Sequence, residues 1–186
     1  MGNVFIFHGT EGYPEENWFP WMKQELEQKG FKVFVPAFPS PPVLPAKISE
    51  WFSVLKNFEQ HINESTILIG HSSGGVFTLR VLEKLTHPVK AAFFVGTPIG
   101  IKPIANFNRD NSFSGFDFNW EDIRKKAKNF FVFQSDDDPY VGLDNGKELA
   151  RNLGVELSFV PNAGHFNKTA GFVKFEKLRD MVLEMG

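Results

Sequence analysis

The 186 residues suit one domain with a sizeable core, and two domains would each be cramped. The formal net charge is -2, with 20 Lys and Arg scattered against 22 Asp and Glu. That balance argues against nucleic acid or an anionic membrane surface as a partner. Cysteine is absent, which excludes disulfides, thiolate catalysis and cysteine-held metal.

In chain order, Val4-Phe5-Ile6-Phe7 reads as a fully buried strand that runs into His8-Gly9-Thr10-Glu11-Gly12. No basic segment precedes it, and its apolar run is too short for a signal peptide or a membrane span. A soluble cytoplasmic protein is therefore expected. The glycine loop lacks both the three-glycine spacing of a dinucleotide site and the G-K-S/T of a phosphate loop. Residues 18–29 place Trp18, Phe19, Met22 and Leu26 on one helical face, ended by Gly30, and 31–35 read as a short strand. Five prolines in 36–45 make a rigid loop. A helix from 49 to about 61 follows, with Trp51, Phe52, Leu55 and Phe58 on one face.

Thr66-Ile67-Leu68-Ile69 then runs directly into Gly70-His71-Ser72-Ser73-Gly74, and a helical pattern continues to about residue 85. A buried strand, a tight G-x-S-x-G turn and a helix form the context of a nucleophile elbow. The glycines have a physical purpose, because the strand and helix backbones approach too closely there for a Cβ. Further strands are expected over 90–95, 130–134 and 155–160, and helices over 120–128, 142–153 and 172–183. Residues 99–119 have no clean period and read as a long loop bearing Phe107, Phe113, Phe116 and Phe118.

About six near-continuously apolar strands alternating with helices mean a mainly parallel sheet covered on both faces. The expected architecture is a three-layer α/β/α sandwich in one domain, residues 1–186, too short for a large cap. Ligands should bind beyond the C-terminal strand ends. Three chemically active groups follow strands there, in the order Ser72, an aspartate of Asp136-Asp137-Asp138, and His165. This is the α/β-hydrolase order. The serine needs a base to take its proton, His165 suits that role near neutral pH, and a carboxylate orients the imidazole. At this level all three aspartates remain candidates. They could also be read as a divalent-ion site, but adjacent carboxylates point apart and no other cluster completes a ligand set. The Thr10 and Ser73 amides are placed to form an oxyanion hole. His8 and His71 read as structural histidines, and Glu11 as a loop carboxylate with either role.

The chain resembles the small α/β-hydrolases of the retinoblastoma-binding protein 9 and YdeN type over almost its whole length. The resemblance rests on His8-Gly9, the helix over 18–30, Ile69-Gly70-His71-Ser72-Ser73-Gly74, Trp120, Ser135-Asp136-Asp137-Asp138-Pro139 and Gly164-His165-Phe166. It implies Ser72 as nucleophile, His165 as base and Asp138, the aspartate before the proline, as acid. Two departures stand out: Gly142 where proline is common, and Thr10-Glu11-Gly12 in place of a more glycine-rich loop. The human relative is named for binding retinoblastoma protein, but a chain without cysteine cannot hold an L-x-C-x-E segment.

The function expected is hydrolysis of a small apolar ester, thioester or amide through an acyl-enzyme on Ser72, with no cofactor and no metal. Its partner is a small-molecule acyl substrate; a protein partner is not indicated. Phe107, Phe113, Phe116, Phe118 and Trp120 are the pocket candidates, with loop packing the rival role for each. The alternatives are a non-catalytic interaction module on the same fold and an acyltransferase using the same three residues.

Overall fold

The computed structural model describes residues 2–40, 47–105 and 115–186. Six strands form one sheet: β1 (Asn3–Phe7), β2 (Lys32–Phe34), β3 (Ile67–His71), β4 (Ala91–Val95), β5 (Phe130–Gln134) and β6 (Leu157–Phe159). Their order is β2-β1-β3-β4-β5-β6, and every pairing is parallel. The apolar runs are continuous because each face has its own helical cover. Val4, Ile6, Ile67, Ile69 and Phe93 pack beneath α1 (Phe19–Gln28) and α6 (Glu176–Glu184). The alternate residues Phe5, Phe7, Leu68 and Phe94 face α2 (Ile48–Leu55), α3 (Ser73–Lys84) and α5 (Leu143–Leu153).

Strand order reverses at β1, whose neighbours are β2 on one side and β3 on the other. Open parallel sheets leave a crevice at such a switch point, beyond the carboxyl ends of the strands. Phe7 pairs with Gly70, so the loops leaving β1 and β3 emerge side by side. A Cβ on Gly9 would meet Ser72 Cβ at 2.9 Å, which shows how tightly the two loops are juxtaposed.

Some elements depart from the periodicity. The helix expected over 49–61 tightens into a 3-10 segment, Lys56–His61, after Leu55. There the rings of Phe58 and His61 pack on Phe34, at 5.8 and 4.8 Å between centroids. The helix expected over 120–128 is only α4 (Trp120–Ile123), capped by Asn119 Oδ1, which accepts from the Asp122 amide. The chain beyond it is drawn to Val89, which donates to Lys126 O and accepts from Lys128 N. The strand expected over 155–160 pairs only across Leu157–Phe159. The last helix starts at Glu176, because a 3-10 turn, Lys168–Ala170, ends in Gly171 at φ 87. No helix among the described residues is long and apolar enough to cross a membrane.

Candidate active site

The site begins at the end of β3, all five residues of which are buried. Ser72 stands between β3 and α3 at φ 55, ψ -126, a conformation that a residue with a side chain rarely adopts. It is held there from both sides: its amide donates to Val95 O at 2.8 Å, and its carbonyl accepts from Gly75 N at 2.9 Å. A Cβ on Gly70 would lie 2.5 Å from Gly74 O, and one on Gly74 2.1 Å from Phe7 O. The strand, turn and helix expected from the sequence therefore form with the close backbone contacts that the two glycines permit.

The loop after β5 gives its three aspartates different tasks. Asp136 Oδ1 accepts from Asn162 N at 2.9 Å. Asp137 Oδ1 accepts from Ser135 Oγ and from Gly164 N, at 2.5 and 2.7 Å, and these bonds hold its carboxyl below the usual range. Asp138 alone reaches an imidazole: its Oδ2 accepts from His165 Nδ1 at 2.7 Å and from Gln134 Nε2 at 3.3 Å. Its Oδ1 accepts the amides of Tyr140 and Val141 at 2.8 and 3.0 Å. The Asp138 side chain is fully buried, so its carboxylate is oriented by four donors and shielded from water. Gly96, at φ 56, passes directly beneath this pair; a Cβ there would meet His165 Nδ1 at 3.1 Å.

His8 and His71 have structural bonding patterns. The Phe38 amide donates to His8 Nε2 at 3.0 Å, so Nδ1 carries the proton and donates to Gly9 O at 2.8 Å. His71 Nε2 donates to His165 O at 2.8 Å. Burial pushes the His71 pKa down to about 3, and the neighbouring His165 adds to the shift. Between about pH 3 and 6.5 a histidine so depressed is neutral in the fold and protonated in the unfolded chain. Its contribution to stability is complete above about pH 6.5 and is lost as pH falls toward 3. Between pH 7 and pH 5 this amounts to about 2 kcal/mol. Urea midpoints at the two pH values should accordingly fall less in His71→Gln than in the parent.

Ser72 and His165 line one cavity of about 450 Å³. Thr10 and Ser73 line it as well, from the β1 loop and the first residue of α3, and their hydroxyls lie 3.3 Å apart. Apart from Glu11, which the sequence left with either role, the rest of the wall was not expected from the sequence. Tyr13, Tyr140 and Val173 contribute apolar surface at the rim, although each is about half exposed. Glu11, Glu15 and Glu16 line it from the loop before α1, and Lys168 from the 3-10 turn Lys168–Ala170. Tyr140 was the most accessible to sequence reasoning, because it directly follows the Asp138-Pro139 turn; its ring meets His165 edge-on at 5.0 Å.

The expected pocket phenylalanines are placed elsewhere. Phe107 and Phe113 lie outside the described residues. Phe116, Phe118 and Trp120 are not in the cavity wall and pack on the core beside α3. Phe118 is 7% exposed, contacts Trp120 at 5.0 Å and lies 4.4 Å beneath the Arg80 guanidinium. Phe116, Phe118 and Trp120 are thus held to the helical layer and do not line the cavity with Ser72.

A parallel six-stranded sheet with a serine elbow at its switch point defines an α/β-hydrolase fold. The chain belongs to the serine hydrolase family, whose model matches residues 4–184. Among its relatives, YdeN of Bacillus subtilis (strain 168) is 27% identical over 179 residues, 96% of this chain and 93% of that protein. Serine hydrolase RBBP9 of Rattus norvegicus is 32% identical over 153 residues, 82% of this chain and 79% of the relative. The crystal structure of the B. subtilis ydeN gene product superposes with a TM-score of 0.89, covering 100% of this chain and 98% of that one. Est1E from Butyrivibrio proteoclasticus, at 15% identity and a TM-score of 0.74, shares the fold.

Proposed function

We propose that the protein hydrolyses a small, apolar, uncharged ester or thioester through an acyl-enzyme on Ser72. The observation that carries this reading is a strained serine that lines the same cavity as a histidine whose Nδ1 is bound to a buried carboxylate. Ser72 Oγ attacks the acyl carbon as its proton passes to His165 Nε2, forming the C–O bond and moving the carbonyl electron pair onto oxygen. Asp138 keeps Nδ1 protonated and steadies the imidazolium. The Thr10 and Ser73 amides receive the oxyanion. Collapse breaks the bond to the leaving alcohol or thiol, which takes the proton from Nε2. Water then repeats the sequence, releasing the acid and regenerating Ser72.

The cavity volume suits a small ligand. Tyr13, Tyr140, Ile104 and Val173 offer it apolar surface. Three glutamates against one lysine oppose a negatively charged acyl group. A panel of p-nitrophenyl esters from acetate to octanoate, with a succinate half-ester included, tests the reading against a Ser72→Ala blank. Turnover of the neutral esters, weak turnover of the half-ester and fluorophosphonate labelling mapped to Ser72 are expected. Absence of labelling, or equal labelling of Ser72→Ala, would overturn it and favour an interaction protein on this fold.

A further inference from the structure

His165 is carried on a backbone bent through Asn162 (φ 54), Gly164 (φ 50) and Phe166 (φ 51). An aromatic residue adopts positive φ only where its surroundings impose it. The approach to His165 is held by amides: Asn162, Ala163 and Gly164 donate to Asp136, Ser135 and Asp137, at 2.9, 3.0 and 2.7 Å. The exit is held by two ring donors on successive carbonyls. His71 Nε2 donates to His165 O at 2.8 Å, and Trp18 Nε1 donates to Phe166 O at 3.0 Å.

His71 immediately precedes Ser72, so one side chain ties the strand that delivers the nucleophile to the backbone that delivers the base. We propose that His71 is a positioning residue, setting the spacing of Ser72 and His165 by holding the His165 carbonyl. The inference rests on the reading of Ser72 and His165 as a reacting pair.

The proton inventory supports it. A carbonyl only accepts, so His71 Nε2 bears the hydrogen and Nδ1 is left with a lone pair. That Nδ1 is buried and has no hydrogen-bond partner among the described residues. Phe19 and Trp18 pack edge-on to the ring at 5.8 and 6.2 Å, and His165 is tilted against it at 4.8 Å. A phenylalanine would fill this apolar space without stranding a buried acceptor. What the imidazole adds is the Nε2–H donor. Burial, with His165 and His8 as the neighbouring titratable groups, keeps it neutral and a single donor across the working range.

The test compares His71→Phe, which fills the space without a donor, with His71→Gln, whose amide reaches the Nε2 position. His71→Met serves as a second donor-less variant should His71→Phe not fold. kcat and KM for p-nitrophenyl acetate are measured per fluorophosphonate-titrated site, and the His165 Nδ1 proton is followed by NMR. Loss of the donor should lower kcat about 10- to 100-fold, the scale of a sub-ångström to 1 Å misplacement, with KM within about twofold. His71→Gln should recover kcat to within about fivefold of the parent, and the Nδ1 proton should shift in the donor-less variants and return in His71→Gln. A donor-less variant with parental kcat and an unmoved Nδ1 proton overturns the positioning role, as does equal impairment of His71→Gln. A wild type silent toward every ester, yet with an Nδ1 proton that moves and returns as described, overturns only the hydrolase reading.

Discussion

Ser72→Ala is expected to lower kcat for a small ester by about 10⁵- to 10⁶-fold. Asp138→Asn should lower it by about 10³- to 10⁴-fold. On the proposed reading the first change removes the atom that would bond the acyl carbon, so what would remain is oxyanion stabilisation and binding alone. The second leaves the shape of the site intact and alters its protons. An asparagine oxygen in the Oδ1 position still accepts the Tyr140 and Val141 amides. Its NH₂ then stands where Oδ2 met His165 Nδ1. Two donors cannot face each other, so the imidazole presents a bare Nδ1 and carries its proton on Nε2, where the proposed mechanism needs a base for Ser72. The double variant should be no worse than Ser72→Ala, because the residues act as a unit. Asp136→Asn and Asp137→Asn should stay within about tenfold of the parent, since their Oδ1 acceptors for loop amides are retained. Steady-state kinetics on the four single variants decides the assignment. Asp137→Asn falling as far as Asp138→Asn would move the acid one residue back.

That assignment also shows where the sequence stops being legible. The parallel sheet, the elbow and the order of the three loops follow from apolar runs, glycine spacing and chain order, which are local properties. Three consecutive aspartates have the same chemistry and no period to separate them. What distinguishes them is the direction each side chain takes in the turn after β5, where two amides beyond Pro139 capture one oxygen of Asp138. Resemblance to a family pointed to Asp138, and in the structure Asp138 is the one of the three that bonds His165. The cavity wall was misjudged for a related reason. Phenylalanines crowd residues 99–119, but their abundance carries no direction, and those described turn toward α3. The wall instead uses two isolated tyrosines and a glutamate-bearing loop that no periodic pattern selects. Trp18 shows a third limit. Its helical spacing places the indole in the core, where it lies fully buried, but spacing says nothing of its N–H holding the Phe166 carbonyl.

Gly74→Ala should be strongly destabilising, by about 3–5 kcal/mol read from urea midpoints. The added methyl would lie 2.1 Å from the Phe7 carbonyl oxygen and 2.6 Å from that of His8. Both are backbone atoms of β1 and its loop, so no rotamer change relieves the overlap. The first turn of α3 must move away from β1, against a sheet whose central strands are buried on both faces. Gly154→Ala provides the contrast. Gly154 ends α5 at φ 75 with nothing within 4 Å of a Cβ, so alanine meets only the left-handed backbone penalty, about 1–2 kcal/mol. Equal losses in the two variants would mean that conformational preference, and not backbone approach, sets the requirement for glycine at the elbow. The Gly74 contact also bears on chemistry, because β1 delivers Thr10 and α3 delivers Ser73. Widening their approach separates the two amides that would receive the oxyanion, so any folded Gly74→Ala should lose kcat by about 10²-fold, the scale for one missing donor. In that variant Asp138 still holds His165 Nδ1, and labelling of Ser72 by a fluorophosphonate should slow along with kcat, because on the proposed reading the phosphonyl oxygen would use the same amides.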